Sequence, residues 1–355
     1  TYHATQIFVA LFICGVFSLF YMLGRAFFKR LSLGLYLSLS AAFSFISVWY
    51  AVSAPALYCT AISAAICLEI WSFFFFIRAV FVCEKESTSI LYAFFGSLTG
   101  AFGCRPPIAL ANLFVLPLLA VFLKGRTLTF RLGKQLILAA SPYLVVGALL
   151  MLYNYARFDN PFEFGQAYQL TIADQSQYGS FLSRFQPLKT FDSICKFFVG
   201  YTPMSDQFPF VTFDGILLNF PILVLPLFGI ASEGVRGEIR ENRLRYCIMS
   251  LFLIPLLIAF TDVLWAPTVL ERYHMDVYWI LCLLCFLVTG LYYQNLAAKT
   301  AKKFSCVLSV WAFLTICKCI FMFLVPYDYN FTFYYVEALE KIRKIFMLGR
   351  GVGLY

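Results

Sequence analysis

Apolar residues run through this chain in long stretches divided by short polar connections. About 20 consecutive apolar residues carry a helix across a bilayer, within a range of roughly 17 to 25. By that measure about ten segments predict spanning helices, near 5–24, 33–52, 57–82, 88–104, 107–123, 135–153, 215–231, 246–261, 275–294 and 304–325. The run at 88–104 is short and meets the next at Cys104-Arg105-Pro106-Pro107, which predicts a tight hairpin. Those at 215–231 and 246–261 are also short and are expected to extend by a few residues.

Charge decides how these segments lie. Lys and Arg accumulate in the cytoplasmic loops of membrane proteins. If the first span runs inward, the cytoplasmic connections hold Arg25, Lys29 and Arg30; Arg78 and Lys85; Lys124, Arg126, Arg131 and Lys134; Arg236, Arg240, Arg243 and Arg245; and Lys299, Lys302 and Lys303. That is 16 of the 27 basic residues, one group in every second loop. The longer alternate loops hold Arg105, Arg157, Arg184, Lys189, Lys196 and Arg272. The fold expected is therefore all-α, a polytopic transmembrane helical bundle with one long extracytoplasmic loop. Residues 1–153 form a membrane-embedded core, 154–214 that loop, 215–325 the C-terminal transmembrane helices and 326–355 an extracytoplasmic tail. In the tail Val336, Leu339, Ile342, Phe346 and Leu348 recur against Glu337, Glu340, Lys341, Arg343 and Lys344, the pattern of an amphipathic helix on a membrane surface. It also carries the glycosylation triplet Asn330-Phe331-Thr332, of a kind common by chance.

Composition agrees. Hydrophobic residues make up 62% and charged residues 13% of the chain, and the mean hydropathy is +0.82. A soluble domain cannot cover so much apolar surface with so few charges. The net charge of +9 is absorbed by the cytoplasmic loops, so no nucleic-acid partner is expected. Most of the twelve cysteines lie inside apolar runs and read as small hydrophobes. Cys282 and Cys285 have CxxC spacing but sit mid-span, with no second pair nearby. With His3 and His274 the only histidines, a His-based metal site is not expected. No cofactor is called for, and a need for divalent metal stays open.

Two ionisable residues fall inside spans, Glu69 at roughly 18 Å and Lys318 at roughly 10 Å below the outer surface, at ~1.5 Å per residue. Such residues are costly and raise a functional question. The depths favour a snorkelling Lys318 and a locally hydrogen-bonded or protonated Glu69 over a direct pair.

The remaining charges gather at the outer mouths of spans: Arg105 before two prolines, Arg157 and Glu163 in the polar stretch Tyr153–Leu170, and Arg272, Tyr273 and Asp276 in ERYHMD. An arginine fork matches the oxygens of a phosphate. Each one singly reads equally well as a lipid-headgroup anchor, and three on one side favour a shared anion site. Tyr153, Tyr155, Tyr168, Tyr178, Tyr201 and Trp265 are rings for stacking on sugar, or an interfacial aromatic belt.

The run NYARFDNPFEFGQAYQL, with FGCRPP before it and QFPFV and ERYHMD after it, resembles the bacterial GT-C class of integral-membrane glycosyltransferases. That class includes the protein O-mannosyltransferases and lipid A aminoarabinose transferases. The resemblance covers nearly the whole chain in its order of spans and loops, and rests most on Asn154-Tyr155, Arg157-Phe158, Asn160-Pro161, Glu163 and Gly165. It implies a sugar donor on a polyprenyl phosphate and inverting transfer to an extracytoplasmic acceptor, which is a cell-envelope glycan, lipid or protein. It also implies an acidic general base in the first extracytoplasmic loop and basic residues on the lipid phosphate. Phosphate and substrate contacts then fall to Arg105, Arg157, Arg272, Tyr155, Tyr168 and Tyr273, with Glu163 and Asp276 as supporting groups. The family's first span and acidic loop precede Thr1, so the chain is expected to be an N-terminal truncation and the catalytic residue is unassigned. The expected partners are the polyprenyl-phosphate sugar and membrane lipids, in the cytoplasmic membrane with an extracytoplasmic active face. Sugar, acceptor and oligomeric state are open. The alternative is a non-enzymatic membrane protein that binds or moves a lipid-linked saccharide.

Overall fold

The computed structural model describes residues 2–53, 57–102, 105–163, 184–201, 214–265, 271–322 and 341. Among them the chain is an all-α polytopic bundle: α1 Tyr2–Phe27, α2 Leu33–Ser53, α3 Leu57–Phe81, α4 Glu86–Ala101, α5 Pro106–Ala109, α6 Val115–Leu123, α7 Phe130–Phe158, α8 Pro187–Val199, α9 Ile216–Asn219, α10 Leu225–Ala231, α11 Glu233–Glu241, α12 Arg245–Trp265, α13 Glu271–Asn295 and α14 Ala298–Met322. Short 3-10 turns join α5 to α6 and α9 to α10. No strand occurs among the described residues.

Among the described residues eight helical segments are long and apolar enough to cross a membrane, against about ten apolar runs in the sequence. The run at 88–104 becomes α4, whose 16 residues reach about 24 Å at 1.5 Å per residue, short of a bilayer core of about 30 Å. The run at 215–231 breaks into α9, a 3-10 turn and α10, because Pro221 and Pro226 each lack the amide that would continue the helix. The run at 135–153 grows instead into the 29 residues of α7. Thr129 Oγ1 caps its start by accepting from the Leu132 amide at 3.2 Å, and Asp159, at φ 53°, ends it in the left-handed region. The expected boundary at 153/154 therefore falls inside α7. The expected tail helix lies outside the described residues apart from Lys341.

Helix α13 is the centre. In its most apolar window 89% of residues are buried, against 11% for α7 and 22% for α14, which stand at the periphery. A helix apolar all round needs neighbours all round, and α13 has α1, α2, α3, α10, α11, α12 and α14. Aromatic rings fill the seams: Phe20 stacks on Phe286 at 4.0 Å, and Phe73 stacks on Phe114 at 4.5 Å with Trp279 edge-on at 5.1 Å. Offset and edge-on rings add to what area burial alone supplies.

The connections separate into two ends. At one, Lys29 Nζ meets Glu238 Oε1 at 3.0 Å, Arg126 Nη1 meets Glu86 Oε2 at 3.2 Å, and Arg30 donates to the carbonyls of Gln294 and Leu296. The Glu238 carboxylate holds the Lys29 ammonium above its ordinary pKa. These are the Lys/Arg-rich connections. At the other end, Arg105 reaches α12 and α13, Arg184 Nη1 donates to the Trp265 carbonyl at 2.9 Å, and the Gly215 amide donates to the Gly200 carbonyl at 2.8 Å. A Cβ on Gly215 would lie 2.6 Å from three backbone atoms of 198–200, so this pinch demands glycine. The alternation of charge in sequence is thus an alternation of ends in space.

Candidate functional site

Three elements converge at the less basic end. Arg105 precedes α5, where Pro106 and Pro107 fix the first helical turn without needing amide partners. Asp262 lies in the last turn of α12, and Asp276 in the second turn of α13. Arg105 Nε sits 2.8 Å from Asp276 Oδ2, and Nη2 sits 3.9 Å from Asp262 Oδ1. Both carboxylates are buried, Asp276 completely and Asp262 to within 2%. Charges this deep persist only when paired, and Arg105 lies within 4 Å of both acids.

Tyr273 completes the cluster. Its ring carries Arg105 on one contact, 5.0 Å from the guanidinium carbon, and Arg272 on another, 5.2 Å away. Arg272 Nη2 also donates to the Tyr273 hydroxyl at 3.4 Å. A cation over an aromatic face is held electrostatically, more strongly where water is scarce. Arg272 and Arg105 are both partly buried, and Arg105 is the one in contact with the two acids. The result is two cations, two carboxylates and one ring within a few residues of the membrane end.

The other expected site residues divide. Arg157 is exposed at the end of α7 and works within its own helix: it donates to the Tyr153 hydroxyl at 2.9 Å and stacks on the Tyr153 and Phe158 rings at 5.2 and 4.8 Å. Tyr155 is exposed. Asn154 and Asn160 shape the turn that follows, Asn154 Nδ2 donating to the Pro161 carbonyl at 3.3 Å and Asn160 Oδ1 accepting from the Phe162 amide at 2.9 Å. The Asn-Pro pair therefore has a local role as an Asx turn. Glu163 follows that turn, its amide donating to the Asn160 carbonyl at 3.3 Å. Tyr168 and Tyr178 lie outside the described residues.

Asp262 is the residue that sequence reasoning passed over. It stands one position beyond the run read as ending at 261, and so looked like a loop acid. Its signal was an acid at the outer end of one span facing an arginine at the outer end of another.

The two ionisable residues inside spans have separate partners. Asn112 Nδ2 donates to Glu69 Oε1 at 2.6 Å, and the Tyr143 hydroxyl donates to Asn112 Oδ1. Gly100 makes room: a Cβ there would run into Asn112 Oδ1, Tyr143 Oη and Ser72 Oγ. Lys318 Nζ instead donates to the Asn219 carbonyl at 2.7 Å and lies over the Phe220 ring. Glu69 is thus hydrogen-bonded locally, and the two residues have separate partners. Among the described residues no three His, Cys, Asp or Glu side chains gather as a metal site.

The fold and site define a multi-pass helical membrane protein with a buried Arg–Asp cluster at one end. No family model, curated protein or solved structure matches the chain.

Proposed function

We propose that this protein is a membrane glycosyltransferase of the GT-C kind, taking a sugar from a polyprenyl-phosphate donor at the end that holds Arg105 and Arg272. One observation supports the reading: two arginines lie against the Tyr273 ring at the less basic end of the bundle, and paired guanidiniums suit a phosphate. In such a reaction the bond from the sugar carbon to the phosphate oxygen breaks while a bond to the acceptor oxygen forms. The lipid phosphate leaves as an anion, and the acceptor's proton passes to a base. Cations held in place before reaction stabilise the leaving anion. Arg272 is the group that meets the phosphate. Arg105 supports it, positioned by Asp262 and Asp276. The base is not assigned to any residue here.

A second reading has its own observation. Asp276 is fully buried against Arg105, so it holds an arginine rather than reaching an acceptor. A protein that binds or moves a lipid-linked saccharide without transfer needs no more than that.

Proteoliposomes given a radiolabelled polyprenyl-phosphate hexose and membrane-derived acceptors separate these readings. Transfer predicts free polyprenyl phosphate above that of empty vesicles, lost in Arg272→Ala. Retention without release favours the binding protein, and neither retention nor release removes both.

The proposed orientation places the basic end in the cytoplasm and the Arg272 end outside. Single cysteines at Lys189 and Lys124, introduced after Cys104 and the exposed or half-buried Cys14, Cys83, Cys195, Cys306 and Cys317 are changed to Ser, test it with an impermeant thiol reagent. Intact cells should label the Lys189 site and spare the Lys124 site. The reverse pattern would overturn the orientation.

A further inference from the structure

The basic end carries a second site, which does not depend on the reading above. A cleft of about 370 Å³ opens where the turn before α2 meets the end of α13 and the start of α14. Arg30, Lys302, Ser32, Ser305 and Tyr293 are among its lining residues, and no carboxylate is. Arg30 is fixed in place: Nε and Nη2 donate to the Gln294 carbonyl at 3.3 and 3.1 Å, and Nη2 also to that of Leu296. This ties the guanidinium to the end of α13 and leaves Nη1 without a protein partner among the described residues. Lys302 is exposed and forms no ion pair among them. The hydroxyls of Ser32 and Ser305 share a hydrogen bond at 3.0 Å, and Ser32 Oγ also accepts from the Leu35 amide at 3.1 Å.

Two cations and the one hydroxyl donor that the Ser32–Ser305 pair leaves over, around an acid-free cleft, complement an anion. The apolar residues exposed on the two helices that begin at the cleft identify its kind: Leu33 and Leu37 on α2, and Val307 and Val310 on α14. These helices pack along one seam, with Ser38 Oγ donating to Ser309 Oγ at 3.1 Å. A free phosphate uses the cleft alone, whereas a phospholipid uses both the cleft and these apolar residues. We propose that this cleft binds the phosphate diester of an anionic phospholipid, with its acyl chains along α2 and α14. Basic pockets between transmembrane helices are suited to such headgroups.

The test uses the full chain in detergent, with native mass spectrometry to measure lipid retention. Phosphatidylglycerol should bind at least about tenfold more tightly than phosphatidylcholine, and Lys302→Gln should weaken it about fivefold, the effect of one lysine near an anionic headgroup. Lys303→Gln, one position along and outside the cleft, should leave it unchanged. Equal binding of the two lipids would overturn the site. An equal loss in both lysine variants would reduce it to general surface attraction. Displacement of phosphatidylglycerol by inorganic phosphate at matched concentration would show that a free anion, not a lipid, is the ligand.

Discussion

Arg105→Ala is expected to cost the protein its fold before it costs any activity. The change leaves Asp262 and Asp276 buried side by side with their shared cation gone. Removing one partner of a buried ion pair costs about 3–5 kcal/mol, because the remaining charge has no compensation. A sharp fall in melting temperature and in the monodisperse fraction after detergent extraction is the expected reading. Arg105→Lys should lie between wild type and Arg105→Ala, since an ammonium restores the charge but not the two separate nitrogens that approach the two acids. Adding Asp262→Asn and Asp276→Asn to Arg105→Ala should recover much of the loss by removing the orphaned charges. An Arg105→Ala protein that melts with the wild type would show that the cluster is no buried network.

Arg272→Ala should do the opposite, leaving the melting temperature near that of wild type while polyprenyl-phosphate binding collapses. Arg272 is half-buried against Tyr273, and without it Asp276 keeps its 2.8 Å contact with Arg105. A hydrogen bond to a charged group is worth roughly 1.5–3 kcal/mol, or about 10- to 150-fold in affinity. Equilibrium binding of a fluorescent polyprenyl phosphate, at matched protein abundance, measures it. Arg157→Ala should have a much smaller effect, because Arg157 makes its contacts within α7. Equal losses in the two variants would place the phosphate elsewhere.

The architecture was legible where one helix's composition determines its fate. Apolar runs marked the spans, and the alternation of Lys and Arg marked the two ends, because both follow from the cost of moving polar groups into hydrocarbon. Length was less legible. A hydropathy window takes Pro221 and Pro226 for ordinary members of an apolar run, while the backbone requires a break there. The same window stopped at Tyr153, and Asn154–Phe158 continue α7 for more than another turn. The site was half legible. Arg105, Arg272, Tyr273 and Asp276 could be named because each is a charged or aromatic residue where the chain enters the membrane. Their pairing could not, since it joins residues more than 150 positions apart. Asp262 was missed for the same reason: its identity as an arginine partner is set by the packing of α12 against α5 and α13.

Photocrosslinking asks most directly whether the Arg105–Arg272 end receives a lipid phosphate. A polyprenyl phosphate with a photoreactive group beside the phosphate is irradiated with the protein in proteoliposomes, and the modified peptides are mapped. Crosslinks are predicted at the starts of α5 and α13, around Arg105 and Arg272, competed away by unlabelled polyprenyl phosphate. Crosslinks confined to the basic end, or no more than a photoreactive polyprenol without phosphate produces, would contradict the account.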